Sequence, residues 1–271
     1  MEKALEAARE AIVLIKNENN LLPLNPQTSK KIIATGFNAN KRMATSGGWT
    51  VSTNSPKAKT VFEGIKEQFR GSNIILVDND AVKIKSNTNE ADTIIYIAGE
   101  DPYSEQDGNI QDMNLPDNQV EQIKTAISTG KPVILVMVAG RRRIITRVFD
   151  GCKAVIWAGL PGYEGARVIA EILCGAVNPS GKLPFSYPYT DSRNLNYNQK
   201  YHYLQLTKNL KVPWTIADFG TGLSYTKFVY SDLKLSDTLI KGKNSSLKAT
   251  VNVTNTGKCD GKEAVLWFIW D

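Results

Sequence analysis

Cysteine is scarce in this chain: 271 residues hold three, Cys152, Cys174 and Cys259, odd in number and without CxxC spacing. That pattern excludes a disulfide framework and a cysteine zinc site, so no metal is expected, and the apolar neighbours of Cys152 and Cys174 make them small core residues rather than nucleophiles. No run approaches the ~20 apolar residues of a membrane span. Met1-Glu2-Lys3-Ala4-Leu5 also lacks the apolar centre of a signal peptide, which predicts no membrane partner and, if the N-terminus is native, a cytoplasmic location. Internal repeats and low-complexity tracts are missing. The Gly-rich turns Gly159 to Gly165 and Gly175 to Gly181 carry no phosphate fingerprint between strand and helix, so no nucleotide cofactor is expected. Lys+Arg 33 against Asp+Glu 27 leaves a net charge of +6, but the basic residues are scattered except at Lys30-Lys31 and Arg141-Arg142-Arg143. Without a basic stripe interleaved with aromatics, nucleic acid is not an expected partner. His202, the single histidine, lies in a Tyr-rich stretch and reads as a surface or interdomain contact.

What is present is a core: 42% of the residues are hydrophobic, ordinary for a globular chain of this size. Short apolar runs that fit buried parallel strands occur at Lys31 to Thr35, Asn73 to Val77, Thr93 to Ala98, Pro132 to Val138 and Ala154 to Trp157. Helical segments lie between most of them. Val61 to Phe69 follows Thr60 as a possible N-cap, Asp117 to Ile127 follows Asn114-Leu115-Pro116, and Ala166 to Leu173 follows a Gly-rich turn. Glu2 to Leu14 predicts an N-terminal helix with Leu5, Ala8, Ile12 and Val13 on its apolar side. This alternation specifies an α/β fold, a mostly parallel sheet with helices on both faces.

The pattern changes after about residue 185. Ser186 to Asn209, rich in Tyr, Asn, Pro and charge, predicts a loop wrapping the surface. From Phe228 the period becomes two, through Leu247 to Val253, the turn Asn255-Thr256-Gly257 and a further run from Glu263 to Trp270. Two or three strands start a β-sandwich but fall short of the roughly 100 residues of a complete one.

The acids of Gly99-Glu100-Asp101-Pro102-Tyr103-Ser104-Glu105-Gln106-Asp107-Gly108-Asn109 come directly after the run Thr93 to Ala98. Ligands of open α/β sheets collect beyond the carboxyl ends of the strands, so a carboxylate on this loop is placed for chemistry, with Glu105 the candidate. A solvated acidic loop is the other reading of the same residues. Arg141, after Gly140 at the end of a strand, is positioned to touch a ligand or a carboxylate, while Arg142 and Arg143 read as the start of a solvated helix face.

Five stretches together resemble the C-terminal α/β domain of glycoside hydrolase family 3, the β-glucosidases and glucan exohydrolases. They are Ala11 to Asn17 with Leu21-Leu22-Pro23-Leu24, Ser46-Gly47-Gly48-Trp49-Thr50, the Gly99 to Asn109 loop, Leu160-Pro161-Gly162 running to Asn178-Pro179-Ser180-Gly181-Lys182-Leu183-Pro184, and Phe219 to Thr226. The resemblance implies a flavodoxin-like domain over residues 1–225 and a partial fibronectin-III-like sandwich over 226–271. It makes Glu105, the second glutamate of Gly-Glu-x-Pro-Tyr-x-Glu, the general acid/base. Glu100, Asp107 and Arg141 become residues that shape or support the loop, and Trp49 a wall on which a pyranose stacks. Where relatives usually carry proline after Gly140-Arg141, this chain has Arg142.

By the same resemblance the substrate is a β-linked glucoside or oligosaccharide, cleaved with retention by an exo-acting β-glycosidase, a β-glucosidase in particular. Retention needs two carboxylates about 5–5.5 Å apart. The family's nucleophile is an aspartate on a (β/α)8 barrel for which this sequence has no strand-helix units, so a barrel domain or chain is an expected partner. Fragment, barrel-pairing subunit and rearranged enzyme are the three explanations, of which a fragment is preferred; alone, the chain is expected to be inactive. A non-catalytic sugar-binding or interaction module is the alternative function.

Overall fold

A computed structural model describes residues 2–29, 31–50, 58–89, 91–191, 213–239, 242 and 246–268. Its centre is a six-stranded sheet of β1 (Val13–Asn17), β2 (Lys31–Thr35), β3 (Asn73–Leu76), β4 (Thr93–Gly99), β5 (Val133–Val138) and β6 (Ala154–Trp157), in the order β1-β6-β5-β4-β2-β3. β2 to β6 run parallel and β1 closes one edge antiparallel to β6. Leaving β1 aside, this is the doubly wound flavodoxin order, with the strand order reversing between β2 and β4.

The strands read as continuous apolar runs because both of their faces are covered. Helices α1 (Glu2–Ala11), α2 (Val61–Gln68) and α6 (Gly165–Leu173) enclose one core with Ile32, Ile95, Ile97, Val136 and Ile156, and alternate residues Ile33, Ile94, Tyr96, Leu135 and Val155 face a second core. That second core is closed by α3 (Ala81–Asn87), α4 (Asp117–Ser128) and α5 (Thr146–Phe149). α2 opens on a capping box: Thr60 accepts from the Glu63 amide and the Glu63 carboxylate accepts from the Thr60 amide. No helix among the described residues is long and apolar enough to cross a membrane.

Three sequence expectations need correction. The first helix ends at Ala11, and Val13–Asn17, predicted to be partly helical, is strand β1. Ile12 to Ile15 is a mostly β-branched run that alternates between the two cores, with Ile12 and Leu14 in one and Val13 and Ile15 in the other, so pairing with β6 buries both faces where a helix would bury one. Of the loop predicted from Ser186, Tyr187–Pro188 forms a short strand, β7, against β8 (Thr215–Ala217), while residues 192–212, His202 included, lie outside those described. Within the period-two stretch from Phe228, β9 (Phe228–Leu235) and β10 (Ala249–Asn255) pair antiparallel with each other, but the run from Glu263 is not a strand over its described residues 263–268. Side chains anchor that segment to the α/β unit instead: Asn178 donates to the Asp260 carbonyl at 2.9 Å, Lys262 pairs with Glu10, and Glu263 pairs with Lys182 at 3.1 Å.

Candidate active site

The strand order reverses between β2 and β4, so the loops that follow these two strands flank a crevice at the carboxyl edge of the sheet. The exit of β4 is held from both sides. Gly99 has φ 146°, and a Cβ there would lie 1.8 Å from the Val138 carbonyl oxygen, so only glycine fits. Buried Gln119 of α4 accepts from the Gly99 amide at 3.1 Å and donates to its carbonyl at 2.7 Å. Buried Asn38, from the loop after β2, donates to the carbonyls of Glu100 at 3.2 Å and Val138 at 3.0 Å.

Glu100 follows, its side chain 11% exposed and gripped by two guanidinium groups: Arg141 Nε lies 3.1 Å from Oε1, and Arg143 Nε and Nη2 lie 2.9 and 2.7 Å from Oε2. Two guanidinium partners offset the hydration that a carboxylate loses when it is buried this far. Arg141 goes on to donate through Nη1 to the Gly108 carbonyl at 2.6 Å and lies over the Tyr103 ring, 3.8 Å from its centroid. Arg143 Nη1 donates to the carbonyls of Asp112 at 2.8 Å and Asn114 at 3.2 Å. Burial, followed by the Glu100 charge, pushes the Tyr103 phenol above its ordinary range. Asp112 is held below the usual carboxylate range by hydrogen bonds from the Asn114 backbone and side chain.

Glu105 begins a single 3-10 turn, Glu105–Gly108, with φ 48°. A non-glycine residue in this left-handed region costs on the order of 1–3 kcal/mol and persists where its surroundings over-determine it. The Glu105 and Asp107 side chains are exposed, and among the described residues neither carboxylate has a hydrogen-bond or ion-pair partner.

Trp49 projects from the loop after β2 and is 73% exposed, which excludes a place in the core. It sits in a turn closed by the Thr50 amide on the Gly47 carbonyl at 3.1 Å. The two loops meet at Gly48, where a Cβ would fall 2.3 Å from the Tyr103 carbonyl carbon and 2.7 Å from the Ser104 nitrogen. The loop after β6 joins them, since Thr45 Oγ1 donates to the Gly162 carbonyl at 2.8 Å and the Gly162 amide donates to the Thr45 carbonyl at 2.7 Å.

Trp49 and Glu105 thus stand on adjoining loops, and Glu100 and Arg141 are spent on each other beneath them. Arg143 departs from its sequence reading: it is 9% exposed and fully engaged, Arg142 is half-buried with its guanidinium 5.8 Å from the Phe185 ring, and α5 begins only at Thr146. Sequence reasoning missed the clamps Asn38 and Gln119 and the anchoring ring Tyr103. The available signal was an arginine triplet shortly after β5, the neighbour of a strand, β4, that Glu100 directly follows. Among the described residues no group of three or more His, Cys, Asp or Glu side chains is arranged to hold a metal ion.

Against known proteins, a profile described as Glycosyl hydrolase family 3 C-terminal domain matches residues 12–225. The chain is 34% identical to a lysosomal beta glucosidase of Dictyostelium discoideum, covering all of this chain and 36% of the relative. It is 29% identical to a beta-xylosidase of Formosa agariphila, covering all of this chain and 40% of that protein. A crystal structure of beta-glucosidase from Listeria innocua in complex with isofagomine superimposes with a TM-score of 0.78 at 28% identity, over 94% of this chain and 38% of that one. The chain therefore spans well under half the length of the proteins it matches. A doubly wound sheet, a Gly-Glu-x-Pro-Tyr-x-Glu loop at its switch point and a profile match over 12–225 agree, and the chain belongs to glycoside hydrolase family 3, of which it carries the C-terminal domain.

Proposed function

We propose that this chain supplies the acid/base and sugar-binding part of a retaining, exo-acting β-glycosidase, a β-glucosidase in particular. The nucleophile comes from a (β/α)8 barrel with which the chain forms the assembled enzyme. Residues 1–225 are the working domain and 226–271 the start of a fibronectin-III-like sandwich. The observation that carries the reading is the left-handed Glu105 on the loop after β4, at the switch point and beside the Trp49 loop. In the first step Glu105 donates a proton to the leaving oxygen while the barrel carboxylate attacks the anomeric carbon; in the second it takes a proton from the water that releases the sugar. Trp49 offers an indole face to the apolar side of the pyranose, and Glu100 and Arg141 hold the loop.

The test is Glu105→Ala in the assembled enzyme. Loss of general-acid help is worth roughly 10²–10⁴-fold and falls on poor leaving groups. A β-linked disaccharide should therefore slow far more than a nitrophenyl β-glucoside, whose leaving group hardly needs the proton. Azide should restore turnover of the nitrophenyl substrate and yield a β-glycosyl azide, because a small anion attacks the glycosyl-enzyme without a base. Equal slowing of both substrates with no effect of azide would move the role to Asp107, since Glu100 is already held by two arginines. Sugar binding with no turnover in the assembled enzyme would favour a non-catalytic module.

A further inference from the structure

We propose that Arg141 is a positioning residue for Glu105, an inference that rests on the acid/base reading above. The turn that carries Glu105 is four residues long, Glu105–Gly108, and its direction depends on where its two ends are fixed. Arg141 fixes both. Nη1 donates to the Gly108 carbonyl at the far end, and the face of the same guanidinium covers Tyr103, two residues before the near end. Its Nε is taken by Glu100, whose other oxygen is held by Arg143, so the group that sets the turn is itself immobilised.

A planar fork of donors is needed for this arrangement. An ammonium could answer Glu100, or the Gly108 carbonyl, but could not also lie flat on the ring. The side chain is 17% exposed and turned inward, so Arg141 acts through Glu105 and not on the sugar. The left-handed backbone of Glu105 makes such a brace necessary, because a glutamate released from it relaxes toward right-handed or extended conformations that aim its carboxylate elsewhere. Misplacing a catalytic group by about 1 Å can cost on the order of 10²-fold.

The experiment compares Arg141→Met and Arg141→Lys, each with and without Glu105→Ala, in the assembled enzyme. The readouts are kcat and KM on a β-linked disaccharide and a nitrophenyl β-glucoside, with a melting curve for each variant. Arg141→Met should lower kcat on the disaccharide by about 10–10²-fold, spare the nitrophenyl substrate and leave both KM values little changed, with Arg141→Lys between it and the parent. The double variant should be no slower than Glu105→Ala alone, because a group that acts only through Glu105 has nothing left to position. Multiplying losses in the double variant, equal losses on both substrates, or a lowered melting temperature with full kcat would each overturn the inference. If Arg141→Met does not fold, Arg141→Lys and Tyr103→Leu carry the same comparison. A Glu105→Ala single variant that shows no leaving-group dependence would remove the acid/base reading and this inference with it, an outcome visible before any Arg141 variant is measured.

Discussion

Gly48 and Tyr103 touch backbone to backbone: a Cβ on Gly48 would lie 2.3 Å from the Tyr103 carbonyl carbon and 2.5 Å from its oxygen. The obstruction is main chain, so neither side can give way by changing a rotamer. Gly48→Ala must therefore separate the loop that carries Trp49 from the loop that carries Glu105. In the assembled enzyme it should cost on the order of 10²-fold in kcat/KM, while melting changes little because the contact lies at the rim of the sheet and outside both cores. Parental kinetics in Gly48→Ala would show that the two loops work independently.

The parallel strands were legible because burial on two faces leaves an unbroken apolar run, as in Thr93 to Ala98. β1 was not, because Ile12 to Ile15 continues the apolar side of the first helix with no Gly or Pro between, and only the free edge of β6 decides the matter. The carboxyl-edge loop could be picked out by its acids, and the family resemblance singled out Glu105 among them, but nothing local in the sequence gives the physical difference between Glu105 and Glu100. Glu100 and Glu105 differ through Arg141 and Arg143, about forty residues further on, which reach Glu100 because β5 pairs with β4. The run from Glu263 read as a strand from its apolar pattern, while its anchors Asn178, Glu10 and Lys182 lie far away in sequence.

Glu171 on α6 accepts from Arg9 at 2.7 and 2.8 Å and from Arg167 at 2.7 Å, and its side chain is 4% exposed. Burial raises its pKa, but the two arginines outweigh burial and leave it below the ordinary value. A depressed folded-state pKa stabilises above the unfolded-state value, about 4.3 for Glu, and that stability is lost as pH falls through the folded-state value. Urea titrations should find Glu171→Gln less stable than the parent by about 1.5–3 kcal/mol at pH 7, with the gap closing below about pH 4. A gap as large at pH 3 as at pH 7 would mean that the effect is packing and not charge.

Trp49 makes no core contact, so Trp49→Ala should leave the melting temperature of the chain nearly unchanged, as surface substitutions do. In the assembled enzyme the loss of its indole face should raise KM for a β-glucoside about tenfold, equivalent to ~1.4 kcal/mol of binding, and Trp49→Phe should recover part of it. An unchanged KM would remove Trp49 from the sugar site.

The 271-residue chain alone should not hydrolyse aryl β-glucosides. Double displacement needs a nucleophile across the scissile bond from the acid, with the two carboxyl groups about 5–5.5 Å apart. Of the acids near Glu105, Glu100 faces inward onto two arginines, and Asp107 shares the four-residue turn with Glu105. Two acids in one short turn flank a sugar from the same side. Purified chain should give only background release of nitrophenol, and a barrel that docks on the carboxyl edge should restore turnover. Turnover by the chain alone, well above background and abolished by Glu105→Ala, would place a nucleophile within these residues, and Asp107→Asn would then be the first variant to measure.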